Sequence, residues 1–73
     1  MTKEEFLLDV QEKVCDVPRE WRLGQAIFNV VEAFYGVARE VQFIDKIDCF
    51  YDDGFIDQFL EAAWNRVKEK ENE

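Results

Sequence analysis

The chain contains no histidine and no serine, and its single threonine is Thr2. A nucleophilic hydroxyl or thiol works with an adjacent base, so the sequence offers no nucleophile and base pair. Carboxylate pairs are present, but acid–base catalysis by them requires a pocket that separates their pKa values. A chain of 73 residues seldom encloses such a pocket. We therefore expect a protein that is not an enzyme.

Cysteine is scarce as well, since Cys15 and Cys49 are the only two. Without histidine, a zinc site would need four sulfur or carboxylate ligands, which this spacing does not supply. We interpret both cysteines as small buried hydrophobic side chains rather than as a disulfide. No metal and no cofactor is expected.

Long hydrophobic runs are also missing. No run approaches the roughly 18 apolar residues of a membrane-spanning helix, and the residues after Met1 do not form a signal peptide. The net charge of −8 repels phosphate backbones and anionic lipid head groups. The sequence therefore predicts a cytoplasmic protein for which membranes and nucleic acids are poor partners.

The residues that are present favour a helical fold. Hydrophobic residues make up 48% of the chain and recur with helical spacing, and aromatic residues make up 15%. We predict one all-α domain over residues 1–73, a three- to four-helix bundle with a long central helix. The predicted helices are Thr2–Cys15, Pro18–Tyr35, Val37–Phe43 and Asp53–Lys68, followed by a frayed tail at 69–73. An α+β fold with a short hairpin at 41–51 is the alternative.

Local signals set these boundaries. Thr2 and Glu5 have the spacing of a capping box, and Pro18 suits the first turn of a helix. Gly24 lies inside the predicted central helix, where glycine is unfavourable, so we expect another backbone to approach it closely. Gly36 is placed to end that helix in the left-handed conformation, and Asp52 or Asp53 can cap the last helix.

A row of polar residues follows the central helix beside its apolar stripe. Arg22, Gln25, Asn29 and Glu32 recur at i, i+3, i+7 and i+10 and share one face, with Trp21 at its end. We call this row the polar seam. It is either a recognition surface or a structural network that holds an ordered loop at residues 44–51. In the structural version, Arg22 pairs with Asp48 or Asp52.

An acidic stretch runs through that loop and continues past its end. It contains Asp45, Asp48, Asp52, Asp53 and Asp57. The spacing fails for an EF-type calcium loop, because its sixth position, counted from Asp48, is an aspartate rather than glycine. The stretch is either a charged loop with helix caps or a negative surface that imitates nucleic acid and inhibits a DNA-binding enzyme.

Two further features have alternative explanations. Residues 32–41 resemble a helix-turn-helix, but Arg39 is the only cation that its reading helix offers. Five aromatic residues either complete the core or form a contact surface, for example in a homodimer. They are Trp21, Phe50, Tyr51, Phe55 and Trp64.

Three sequence blocks resemble a family of small bacterial and prophage-associated proteins. They are Trp21–Asn29, which contains Arg-x-Gly-Gln-Ala, Tyr35–Arg39, and Asp48–Asp53, which reads Asp-x-Phe-Tyr-x-Asp. The match spans Trp21 to Leu60 and leaves Met1–Val17 outside. The resemblance implies a compact helical fold and brings no assigned activity or catalytic residue.

These observations predict a non-enzymatic protein-interaction module, an accessory protein of a phage or mobile element. It would bind another protein, of unknown identity, through the polar seam and the adjacent aromatics. The nucleic-acid mimic and the helix-turn-helix regulator are the alternatives.

Overall fold

The computed structural model describes residues 1–71 and shows an all-α fold. Its helices are α1 (Lys3–Val14), α2 (Leu23–Tyr35), α3 (Ala38–Phe43) and α4 (Ile56–Glu71), with a one-turn 3₁₀ helix at Asp53–Phe55 before α4. Within residues 1–71 no strand forms, so residues 41–51 make a short helix and a loop instead of the alternative hairpin. The prediction of a small helical bundle is confirmed.

The predicted capping box starts α1. The Thr2 side chain accepts a hydrogen bond from the Glu5 amide at 3.2 Å, and the Glu5 carboxylate accepts one from the Thr2 amide at 2.8 Å. These bonds satisfy amide groups that a helix start otherwise leaves without partners, and they lower the pKa of Glu5. Helix α1 then buries Phe6 and Val10 against the rest of the bundle.

Helix α2 begins at Leu23, so the prediction that it starts at Pro18 is wrong. The backbone turns after Pro18, whose carbonyl accepts a hydrogen bond from the Trp21 amide at 3.2 Å. Arg22 is then extended, with φ −66° and ψ 157°, which a continuous helix cannot contain. The helix ends as predicted at Gly36, whose φ of 69° lies in the left-handed region.

The last helix also starts later than predicted, at Ile56 instead of Asp53. Asp52 accepts a hydrogen bond from the Gly54 amide at 2.8 Å and so caps the 3₁₀ turn that leads into α4. Helix α4 continues through Glu71. Of the predicted frayed tail at 69–73, residues 72–73 lie outside the described residues, and fraying of the rest stays a prediction.

The core lies where α1, α2, α3 and α4 meet. Its fully buried large side chains are Phe6, Val31, Val37, Val41, Cys49 and Phe59. Ile27 and Phe59 are buried, as the helical spacing of the hydrophobic residues predicts. Leu23 and Phe34 share the helical spacing of Ile27 but are at the surface, because Leu23 is 54% exposed and Phe34 is 61% exposed. The apolar arc of α2 is therefore wider than its neighbours can cover.

The loop between α3 and the 3₁₀ turn is ordered by packing, as predicted. Cys49 is buried, and Ile47 and Phe50 pack against the core, with the Phe50 ring edge-on to Phe28 at 5.4 Å between centroids. Tyr51, one of the five aromatic residues with two explanations, is three quarters exposed. The loop is thus held by three side chains, Ile47, Cys49 and Phe50, that pack against the core.

Candidate interaction surface

The amino end of the polar seam is occupied by contacts within the protein. Arg22 donates a hydrogen bond to the Phe50 carbonyl, and its guanidinium lies 3.7 Å from the Asp53 carboxylate. The predicted pairing with Asp48 or Asp52 is therefore wrong. Asp48 instead accepts hydrogen bonds from the Phe50 amide and from the Gln42 side chain, at 2.8 and 3.0 Å.

The Arg22–Asp53 pair is half exposed, so the large penalty for breaking a buried pair does not apply to it. Asp53 also accepts a hydrogen bond from the Gly24 amide at 3.0 Å. It thereby caps α2 from a distant part of the chain, at a helix start where Arg22 provides no side-chain cap. The amino end of the seam joins the start of α2 to the start of the 3₁₀ turn.

The carboxyl end of the seam is structural as well. Glu32 accepts a hydrogen bond from the Arg39 amide at 3.1 Å, which ties the end of α2 to the first turn of α3. Gln25 is half-buried in the middle. Asn29 lines a shallow pocket of about 220 Å³ together with Trp21 and Phe34. The structure thus uses both ends of the seam to hold neighbouring segments.

Four of the five acidic residues support the fold. Arg66 forms two hydrogen bonds to Asp45, at 2.9 and 3.0 Å, and these bonds lower the pKa of that carboxyl. Asp48, Asp52 and Asp53 bind the backbone or side-chain groups described above. Asp57 is exposed in the first turn of α4. Within residues 1–71 no group of three or more histidine, cysteine or acidic side chains could hold a metal ion.

The two cysteines have different environments. Cys49 is buried, its thiol donates to the Gly24 carbonyl at 3.3 Å, and burial raises its pKa to about 12. Cys15 is exposed after the end of α1, so the prediction that it is buried is wrong. It follows the last turn of α1, and its thiol donates to the Gln11 carbonyl at 3.5 Å. Both thiols are free.

The five aromatic residues of uncertain burial divide into two groups. Trp64 packs against Phe6 at 5.7 Å between ring centroids, and Phe50 contacts Phe28, so these two complete the core. Tyr51 and Phe55 are exposed, and Trp21 is half-buried over α2. Trp64 and Phe50 are therefore part of the core, whereas Tyr51 and Phe55 are not.

An apolar groove runs along the bundle between α1, α2 and the first turns of α4. It encloses about 400 Å³ and is lined by Leu7, Val10, Gln11, Val14, Leu23, Ile27 and Leu60. The four lining residues of α1 are spaced i, i+3, i+4 and i+7, so the groove follows that helix for two turns. Gln11 is the one polar side chain among them.

One end of the groove is acidic. A second concavity of about 290 Å³ shares Leu7 and Leu60 with the groove and adds Lys3, Asp57 and Glu61. Lys3 is ion-paired with Glu61, so its charge is compensated locally. Asp57 remains as an uncompensated negative charge at this end, since within residues 1–71 it has no ion-pair partner.

Helical spacing places another carboxylate on the side of α1 that lines the groove. Glu4 precedes Leu7 by three residues and Gln11 by seven, which places it on the same side of α1. It is exposed and forms no ion pair within residues 1–71. The groove therefore has an apolar floor, an acidic end, and a carboxylate that helical spacing places on its α1 side.

Helical spacing alone does not predict this groove. Leu7, Val14, Leu23 and Leu60 share the helical spacing of the buried apolar residues, yet the structure leaves each of them partly or largely exposed. A signal was present in α1, where Phe6, Leu7, Val10 and Val14 make an apolar arc wider than one neighbouring helix covers. Only the crossing of the helices decides which part of that arc stays open.

Comparisons of the chain with protein families, with curated proteins and with solved structures find no match. Within residues 1–71, none of the helices combines the length and the apolar character needed to cross a bilayer. The longest, α4, has 16 residues and a charged second half. The class that the fold defines is a small acidic helical bundle with an open apolar groove.

Proposed function

We propose that this protein is a non-enzymatic interaction module and that the apolar groove is where it contacts another protein. One observation carries the proposal: six aliphatic side chains and Gln11 line an open groove on a small charged molecule. Exposed apolar surface that is continuous and bordered by polar residues is typical of sites that another molecule covers. Leu23, which is more than half exposed, would be buried by such a contact.

The groove is a better contact surface than the polar seam. Arg22 and Glu32 already bind the Phe50 carbonyl and the Arg39 amide, so a partner that used them would compete with the fold. The lining side chains of the groove have no such internal role on their open side. We therefore propose that the partner contacts the face of α2 that carries Leu23 and Ile27, and not the face of the polar seam.

Imitation of nucleic acid receives less support. Asp45, Asp48, Asp52 and Asp53 each accept hydrogen bonds within the protein, so their geometry follows from holding the loop and the helix ends. A phosphate-like surface needs carboxylates that are free to meet cations of a partner. The acidic stretch is explained by caps and ion pairs without such a partner.

The cellular setting in this proposal is cytoplasmic, and the link to phages or mobile elements rests on the resemblance of the Trp21–Asn29 and Asp48–Asp53 blocks. The proposed contact at the groove depends on neither the compartment nor the link to phages.

Site-specific cross-linking tests the proposal. A photoreactive amino acid replaces Gln11 in the groove, and in a control chain it replaces Lys46, which lies outside it. Each chain is irradiated in extract of the cells that produce the protein. We expect one protein adduct that forms from position 11, not from position 46, and that weakens when Leu23→Ala is added. Equal labelling from both positions, or adducts that Leu23→Ala leaves unchanged, would contradict the proposal.

A further inference from the structure

We infer that the occupant of the groove is an amphipathic α-helix of another protein, with an apolar stripe flanked by lysine or arginine. This inference rests on the proposed function and adds the chemistry of the partner. Three observations support it: the composition of the groove floor, the spacing of its lining residues, and the carboxylates at its margins.

The floor favours a helix over an extended peptide. An extended segment brings unpaired backbone amide and carbonyl groups, and burying them without hydrogen bonds is costly. The lining offers one polar side chain, Gln11, and within residues 1–71 there is no strand edge to pair with. A helix satisfies its own backbone groups internally and can therefore lie against an apolar floor.

The dimensions also fit a helix. The lining residues of α1 cover two helical turns, about 11 Å along the axis at 1.5 Å per residue. The concavity at Leu7 and Leu60 continues the groove toward the start of α4. Apolar residues at i, i+3 or i+4, and i+7 of a partner helix span the same length and point to one side. Two to three turns of such a helix would cover Leu23 and the open side of Leu7.

The charges select a basic partner. Asp57 lines the acidic end of the groove, and Glu4 lies on the groove side of α1 by helical spacing. Neither has an ion-pair partner in residues 1–71, and the nearby Lys3 is already paired with Glu61. The whole chain carries −8. Lysine or arginine beside the apolar stripe of the partner would face these carboxylates and the overall field. A second copy of this chain brings the same negative charge to the groove and is disfavoured for that reason.

A displayed library of random 16-residue peptides, selected on the full chain at low salt, tests the inference. We expect enriched sequences with apolar residues spaced i, i+3 or i+4, and i+7, and with net positive charge. A synthetic peptide of the most enriched sequence then serves as the probe in fluorescence anisotropy. We expect it to become helical on binding by circular dichroism and to bind at least ten-fold more weakly to Leu23→Ala than to Ile44→Ala. Both variants remove a similarly exposed aliphatic side chain, but only Leu23 lines the groove.

Matched charge variants separate local attraction from net charge. The pair Glu4→Gln with Asp57→Asn removes two charges at the groove, and Glu12→Gln with Asp16→Asn removes two exposed charges elsewhere. We expect about five-fold weaker binding for the first pair and less than two-fold for the second, because each exposed pair contributes modestly. Equal effects, or enrichment of acidic or extended proline-rich peptides, would overturn the basic-helix inference. So would a homodimer of about twice 8.7 kDa that disappears with Leu23→Ala.

The two proposals can fail separately. Groove-specific cross-linking to a partner, together with enriched peptides of the wrong chemistry, removes the basic helix and keeps the interaction module. Absence of both groove-specific cross-linking and groove-dependent peptides removes the interaction module itself.

Discussion

The outcome of Gly24→Ala depends directly on how closely the loop at Cys49 packs against the first turn of α2. Gly24 is the second residue of α2, and its amide and carbonyl bind Asp53 and Cys49. A Cβ added there would lie 2.1 Å from the Cys49 carbonyl oxygen and 2.6 Å from an Asp53 carboxylate oxygen. The nearer obstacle is backbone, so the loop has to move away by on the order of 1 Å to restore normal contact.

Helix propensity and packing predict opposite signs for this change. Alanine is preferred over glycine in a helix by about 1 kcal/mol, so an open site would become more stable. Overpacking costs about 1–3 kcal/mol, and displacing the Asp53 and Cys49 hydrogen bonds costs about 1 kcal/mol each. Packing therefore dominates, and we expect Gly24→Ala to lose about 2–4 kcal/mol of unfolding free energy. For a chain of this size that corresponds to a fall in Tm of about 10–30 °C.

Urea and thermal unfolding, followed by circular dichroism and tryptophan fluorescence, measure the effect. Gly36→Ala is the control, because a Cβ at Gly36 meets nothing within 4 Å and only its positive φ opposes the change. That strain costs about 1–2 kcal/mol. A Gly24→Ala variant as stable as the parent protein, or more stable, would refute the close approach of the loop to α2.

Three further predictions concern the core, the thiols and an ion pair. Phe59→Ala, at a fully buried ring, should cost about 3–5 kcal/mol in urea unfolding; a loss below 1 kcal/mol would contradict the described core. In the folded protein, the exposed Cys15 should react with a thiol reagent as fast as cysteine in an unfolded peptide, whereas the buried Cys49 should react only at the rate of unfolding. Fast labelling of both cysteines would show that the loop is open. Because Arg66 lowers the pKa of Asp45 below its usual 3.8, the stability from this pair is present at neutral pH and lost only as the pH falls through the lowered value. NMR titration should show Asp45 titrating at higher pH in Arg66→Gln, and an unchanged midpoint would exclude the pairing.

The parts of the fold that local chemistry determines were predicted from the sequence. The capping box at Thr2, the helix end at Gly36 and the close approach at Gly24 each follow from the properties of one or two residues. The amino end of α2 was misplaced because its cap comes from Asp53, 29 residues away. Sequence spacing within a helix carries no information about an acceptor supplied by another segment.

The candidate surface was harder to predict for a related reason. Helical periodicity shows that Leu7 and Leu23 belong to apolar arcs, but it does not show how much of each arc a neighbouring helix covers. That depends on the crossing of α1, α2 and α4, which places Ile27 inside and leaves Leu23 54% exposed one turn earlier. The two ends of the polar seam are not free to contact another molecule, because Arg22 binds the Phe50 carbonyl in the loop and Glu32 binds the Arg39 amide in α3.

The open groove follows from the size of the chain together with the demands of its core. A short domain buries a smaller fraction of its surface than a large one, so an apolar arc that exceeds one helix contact remains partly exposed. Additional carboxylates keep such a protein soluble, but here Asp45, Asp48, Asp52 and Asp53 are engaged in holding the loop and the helix ends. The charges left to border the groove are Glu4 and Asp57. In the proposed contact, an apolar floor beside free carboxylates would favour apolar surface that is itself basic and would disfavour a second copy of the same acidic chain.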